Sequence, residues 1–304
     1  MANLTQTNSI KALSTDRTEA HFSDWWELTK PRLSLMSVAT AVLGYFAAGP
    51  ALDLSLFFSL CLGTTLAAFG CGVLNQWWER DVDAKMERTA DRAIAAGRIS
   101  PTAGFIYGIA LALTGVVLLA YKVNITAALL TAATVVLYIL AYTPLKRVTP
   151  WATEIGAIPG ALPPLIGWVA AGAGFSSMGW ILFAILFAWQ LPHFMAISWM
   201  CRRDYEEGGF KMLSVSDATG RQVAIKALAW TIVLCLISLA PLREPQFGWL
   251  LLVVSLVLGY AHLKPAIQFV RDPGNVAHAR KLFIATLLYL PAYLGALVVD
   301  RFFI

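Results

Sequence analysis

Residues 55–83 read SLFFSLCLGTTLAAFGCGVLNQWWERDVD. Residues 55–77 carry no charged side chain, and then Glu79, Arg80, Asp81 and Asp83 follow at once. An apolar run of ~20 residues is what an α-helix needs to cross the hydrocarbon core of a bilayer. This stretch therefore predicts a membrane-spanning helix whose last turns are polar. The same pattern recurs at 33–50, 102–121, 124–143, 151–172, 177–200, 222–241, 247–269 and 281–300. The expected fold is all-α: a polytopic membrane helical bundle with nine transmembrane helices. Composition agrees, with 58% hydrophobic and 13% charged residues over 304, against about 45–50% and about 25% in soluble domains. That balance excludes a disordered, collagen-like or ordinary soluble protein. Residues 1–28 are polar, mixed in charge and without the pattern of a cleaved signal. They are expected to form a cytoplasmic tail with an interfacial stretch near Trp25 and Trp26, leaving 29–304 as a single domain.

The basic residues orient this bundle. With the N-terminus in the cytoplasm and the spans alternating, the inner side receives Lys11, Arg17, Lys30 and Arg32 from the tail. Of the 23 Lys and Arg, only Lys122, Arg243 and Arg301 are not assigned to the inner side, as the positive-inside rule demands. The net charge of +5 is thus a matter of topology, and no nucleic-acid partner is expected. Cys61, Cys71, Cys201 and Cys235 show neither pairing nor metal-ligand spacing and read as buried thiols. The inner loops at about 78–101 and 201–221 are the longest and the most charged, which directs attention to the cytoplasmic mouth.

Two acidic clusters lie there. At ~100° per residue, Asn75, Glu79 and Asp83 are spaced by four and share one helix face, while Asp81 points away. In the second, Arg202-Arg203-Asp204-Tyr205-Glu206-Glu207-Gly208-Gly209, a continuing helix would put Asp204 and Glu207 on one face before the glycines end it. One reading is a solvated loop in which Glu79 and Arg80, and Asp83 and Lys85, neutralise each other. The other is a divalent metal site. Mg²⁺ takes hard oxygen ligands completed by substrate phosphates, and two carboxylate sets on one side suit two ions around one diphosphate. Lys85, Arg88, Arg92 and Arg98 follow the first cluster and could hold phosphate oxygens.

The run Asn75 to Thr89 resembles the N-x-x-x-D-x-x-x-D metal motif of the UbiA-type intramembrane prenyltransferases. Tyr142-Thr143-Pro144-Leu145-Lys146-Arg147, Pro163-Pro164-Leu165-Ile166-Gly167-Trp168 and Trp189-Gln190-Leu191-Pro192-His193-Phe194 are similar to stretches of the haem-farnesylating branch of that family. The likeness spans roughly residues 28–300. The chain departs at Glu79, where the motif has Asp, at Ala93 for a frequent proline, at Ala152 for a frequent asparagine, and at Glu154, an unusual carboxyl.

The resemblance implies transfer of a farnesyl group from farnesyl diphosphate to a vinyl group of haem b, with addition of water, in a Mg²⁺-dependent reaction. It implies metal binding by Asn75, Glu79, Asp83, Asp204 and Glu207, and diphosphate binding by Lys85, Arg88, Arg92, Lys146, Arg147 and Lys211. Tyr142 is placed to steady a carbocation through its ring. His193, a rare intramembrane histidine, is the expected haem contact, with His262 a weaker candidate. Glu154 is expected to snorkel or to pair with Lys146 or Arg147. Gly156, Gly160, Pro159, Pro163 and Pro164 allow either close helix packing or a broken helix lining a cavity. Expected surroundings are the bilayer of a bacterial inner membrane, active-site loops in the cytoplasm, and a haem A synthase or oxidase-assembly partner. Two alternatives remain: the same fold acting on an aromatic quinone precursor, or a non-enzymatic haem-binding or transport protein. Transporters place ionisable residues near the midplane, whereas here the carboxylates crowd the inner mouth.

Overall fold

The computed structural model describes residues 20–303, which are helical with no strand among them. The tail up to residue 19, with Lys11 and Arg17 of the charge count, lies outside the described residues. A short helix α1 (Phe22–Leu28) holds the expected interfacial stretch, with Trp26 half exposed. Then come α2 (Pro31–Ala47), α3 (Leu54–Asp83), α4 (Pro101–Lys122) and α5 (Ile125–Val136). The last continues through a π-helical segment, Leu137–Tyr142, into α6 (Thr143–Leu145). Pro144 explains the widening. It brings no N–H and its ring crowds the carbonyl four residues back, and the Thr143 amide reaches Tyr138 O instead. Next are α7 (Ala152–Ala170), α8 (Ser177–Met200), the short α9 (Arg202–Glu207) and α10 (Leu213–Ser216), then α11 (Arg221–Ile237), α12 (Trp249–Arg271) and α13 (Val276–Phe303).

Among the described residues the long helices overlap the nine expected stretches, although α3 runs six residues past the expected 77 and α13 starts five residues before the expected 281. Seven of them are long and apolar enough to cross a membrane. The other two are α2, only 17 residues long, and α7, whose apolar character is diluted by Thr153, Glu154, Pro159, Pro163 and Pro164. Large apolar side chains such as Leu113 on α4 and Leu256 and Tyr260 on α12 face outward. Apolar exposure on this scale suits lipid rather than water, and the chain is an integral multi-pass membrane protein.

The helices fall into two groups. In one, α2, α3, α5 and α7 pack around a cavity, with α4 against α3 and α5; in the other, α8 contacts α11 and α13, and α12 joins those two to close a ring. The groups meet along α7 and α8. Small residues allow the closest crossings. A Cβ on Gly167 of α7 would fall on the Ala41 carbonyl of α2, and one on Gly44 would fall on the Pro164 carbonyl. Helix α7 is continuous through its three prolines, so its glycines and prolines bring no break; they pack closely on α2 and, at Pro159, Gly160 and Pro163, also line the cavity.

Candidate active site

The 30 residues of α3 exceed what one crossing needs, so its polar end carries Asn75, Glu79 and Asp83 into the mouth of the first helix group. All three are buried, at 2%, 6% and 1% exposure. A buried charge is costly unless paired, and each member of the face has a basic partner brought from elsewhere. The Lys30 ammonium donates to Asn75 Oδ1 at 2.7 Å. Asn75 Nδ2 donates to Glu79 Oε2 at 3.0 Å and to Thr143 Oγ1 at 3.3 Å. Lys146 pairs with Glu79, and Arg92 Nη1 donates to both oxygens of Asp83 at 2.7 Å. The neighbour pairs of the solvated-loop reading do not form. Arg80 turns to Asp81 at 3.7 Å and to the Trp77 carbonyl, and Lys85 is exposed.

The second cluster keeps its three-residue spacing within one helix, but that helix is not a continuation of α8. Helix α8 ends at Met200, Cys201 leaves helical geometry, and the six-residue α9 starts afresh. Asp204 accepts from Arg88 Nε at 3.2 Å, which ties the loop after α3 to α9. Glu207 is exposed and has neither a hydrogen bond nor an ion pair among the described residues. Gly208 and Gly209, the latter at φ +70°, end the helix as expected. Val82 and Met86 pack on Phe210 and Met212, with Tyr205 alongside. The Lys211 amide donates to the Lys146 carbonyl at 2.9 Å, although the Lys211 and Arg147 side chains are exposed. The Lys146 ammonium lies 4.9 Å from the Tyr142 ring centre and 5.5 Å from that of Phe210. Burial works against its charge, but Glu79 and the neighbouring tyrosines overcome that and hold the group above its usual range.

Lys30 was legible in the sequence only as an inner-side charge, and Thr143 only as part of a motif; the structure adds both to the site. Lys30 has φ +49°, the left-handed region, and no other non-glycine among the described residues has a positive φ. Pro31 follows it, and a residue before proline is driven out of the right-handed helical region, so α1 cannot run straight into α2. Gln76 Nε2 holds the Leu28 carbonyl at 2.8 Å, Ser34 Oγ holds the Thr29 carbonyl at 2.8 Å, and Gly72 gives the Thr29 carbonyl room to approach α3. Such strain costs about 1–3 kcal/mol and persists where the surroundings over-determine it, often at functional sites. Burial, then Arg92, brings the Lys30 ammonium down to about 7, with Glu79 pulling the other way.

Above this mouth an apolar cavity of about 190 Å³ opens between α2, α3, α5 and α7, lined by Lys30, Ala41, Cys71, Tyr138, Gly160 and Pro163 among others. His193 does not line it. It sits on the α13 side of α8, with Nδ1 2.7 Å from Thr286 Oγ1 and its ring stacked on Trp189. His262 is buried near Tyr289, one helical turn from Thr286, with both ring nitrogens unpartnered. Glu154 pairs with Lys226 of α11, not with Lys146 or Arg147, because α7 turns its first-turn carboxylate toward α11. The four cysteines are free thiols.

The donors suit a hard divalent cation: one amide and two carboxylate oxygens on a single helix face. Among the described residues no three His, Cys, Asp or Glu side chains converge to hold an ion by themselves. A metal here needs further oxygens, as Mg²⁺ draws from water and phosphate. The fold and the site together define an intramembrane prenyltransferase. The chain belongs to the UbiA prenyltransferase family, whose profile matches residues 37–287. More narrowly, it is 46% identical over 291 residues to the protoheme IX farnesyltransferase of Opitutus terrae, covering 96% of this chain and 99% of that one. It is 39% identical to the enzyme of the same name from Solibacter usitatus, covering 91% and 98%. The fold matches a solved digeranylgeranylglyceryl phosphate synthase with TM-score 0.77 at 17% identity, over 92% of this chain and 98% of that one. It also matches a UbiA homologue from Archaeoglobus fulgidus bound to GPP and Mg²⁺, with TM-score 0.66 at 12% identity over 90% and 99%.

Proposed function

We propose that this protein transfers the farnesyl group of farnesyl diphosphate to a vinyl group of protohaem IX, haem b, with addition of water, to give haem O. The observation that carries prenyl transfer is the buried Asn75–Glu79–Asp83 face, ringed by Lys30, Lys146 and Arg92 at the mouth of an apolar cavity. The acceptor follows from the relatives named above. Asn75, Glu79 and Asp83 would hold Mg²⁺, and Asp204 and Glu207 of α9 would serve a second ion. Bound there, the metal supplies charge neutralisation for the departing diphosphate.

The chain's own groups do the rest. Lys146, Arg92 and Arg88 leave their carboxylates for phosphate oxygens; Lys85, Arg147 and Lys211, exposed at the rim, guide the anion in. The allylic C–O bond breaks with its electron pair leaving on diphosphate, and the vinyl π bond forms the new C–C bond. Water then adds to the resulting cation and gives up a proton. The apolar lining keeps water from the farnesyl chain, and the Tyr142 ring faces developing positive charge. His193, its Nδ1 fixed by Thr286, offers Nε2 to the haem. The single domain 29–304 lies in a bacterial inner membrane, with α2 and α7 completing nine crossings, the N-terminus and the site in the cytoplasm, and haem O passing to a haem A synthase or oxidase-assembly partner.

The test is turnover by the purified protein in detergent with haem b and farnesyl diphosphate, with and without Mg²⁺, followed by mass spectrometry of the haem. A Mg²⁺-dependent gain of farnesyl plus water supports the reading. Folded protein that makes no product, or that prenylates an aromatic acceptor instead, refutes it.

A further inference from the structure

Charge pairing around the α3 face leaves one cation over. Glu79 takes Lys146 and Asp83 takes Arg92, whereas Lys30 holds only the neutral amide oxygen of Asn75 and has no carboxylate partner among the described residues. A half-buried ammonium without a carboxylate partner is chemically suited to bind an anion. Its backbone is held in the left-handed region by the contacts of Leu28 and Thr29, so the Cα stays put. Its side chain has room to move, because Lys30 lines two cavities at once. On one side is the apolar cavity. On the other is a polar one of about 220 Å³, lined by Asp24, Glu27, Gln76 and Arg92 among others.

We propose that Lys30 is a phosphate-binding residue with two positions: on Asn75 Oδ1 in the free protein, and on the diphosphate oxygens in the loaded one. This inference rests on the metal–diphosphate reading of the site. The switch follows from competition for one atom, since Asn75 Oδ1 cannot serve an ammonium and a divalent cation together. When Asn75 Oδ1 takes up the metal role, Lys30 is displaced next to the incoming diphosphate, whose charge it then meets. The same movement puts the lysine stem across the boundary between the polar cavity and the apolar one, closing the water-facing side once the prenyl diphosphate is seated. Lys30 thus couples metal occupancy to closure with no backbone motion.

The experiment is calorimetric titration of the full chain in detergent with inorganic pyrophosphate and Mg²⁺, so that no turnover is needed. Lys30→Met should weaken binding about 10- to 100-fold, the range for a hydrogen bond to a charged group. Lys30→Arg should restore most of the affinity. The thermal midpoint of Lys30→Met should fall less than that of Lys146→Met, because the group left unpaired is the neutral Asn75 amide oxygen and not a carboxylate. In turnover the loss should fall on KM for farnesyl diphosphate and spare KM for haem. Unchanged pyrophosphate affinity in Lys30→Met overturns the inference. So does an equal loss in Lys30→Arg accompanied by a lowered midpoint, which marks a purely structural role. If Lys30→Met does not fold, Lys30→Gln provides the same comparison. Failure of the unaltered chain to bind Mg²⁺ and pyrophosphate refutes the metal–diphosphate reading itself, and is thereby distinguishable.

Discussion

Replacing Lys146 by methionine separates what the buried ion pair does for stability from what it does for chemistry. The Glu79 and Lys146 side chains are 7% and 11% exposed, so Lys146→Met strands a carboxylate where water cannot reach it. Breaking a buried pair by removing one partner costs ~3–5 kcal/mol. At roughly 2–4 °C per kcal/mol for chains of 150–250 residues, the midpoint of thermal unfolding in detergent should fall by about 6–20 °C. Adding Glu79→Gln removes the stranded charge, and Asn75 Nδ2 keeps an oxygen to donate to, so the double variant should regain most of the lost stability. Its turnover should stay lost, because both groups act on the metal–diphosphate complex. Arg147→Met, one residue along but exposed, serves as the control and should lie within ~0.5 kcal/mol of the unaltered protein. A midpoint for Lys146→Met within about 2 °C of the unaltered chain, less than one kcal/mol, would refute the buried-pair argument. Recovery of turnover in the double variant would refute the assignment of these groups to the reaction.

Asp83→Ala should lower Mg²⁺-dependent turnover at least about 100-fold while the protein still inserts; near-normal activity removes Asp83 from the metal face. His193→Ala should weaken haem b binding in an absorbance titration by about tenfold or more, and an unchanged titration returns His193 to a packing role between Trp189 and Phe283. Gly167→Ala drives α2 and α7 apart, because the added methyl meets the Ala41 backbone rather than a side chain. It should cost at least about 1–3 kcal/mol, whereas Gly295→Ala meets nothing within 4 Å and should gain ~0.5–1 kcal/mol from helix propensity. Equal midpoints for the two glycine variants would contradict the close α2–α7 crossing.

By itself the sequence determined everything that is periodic along one helix. Apolar runs about a bilayer long placed the long helices to within a few residues. The four-residue spacing of Asn75, Glu79 and Asp83 put them on one face, because 3.6 residues per turn is a local rule. The flanking motifs named the family. The tertiary structure alone decided who meets whom. Glu79 could be offered Arg80 by the sequence, but it takes Lys146, sixty-seven positions on; Glu154 takes Lys226 instead of Lys146. Asp204 finds Arg88, while Glu207, three residues on in the same short helix, is exposed. Lys30 enters the site because Pro31 forces the chain to turn and α3 offers Gly72 and Gln76 at that corner. His193 faces α13 and not the cavity. Such pairings depend on helix rotation and crossing, which small residues like Gly44 and Gly167 set through backbone approach between segments far apart in the chain. A buried carboxylate takes the cation that packing delivers, and no spacing within a single helix encodes which one that is.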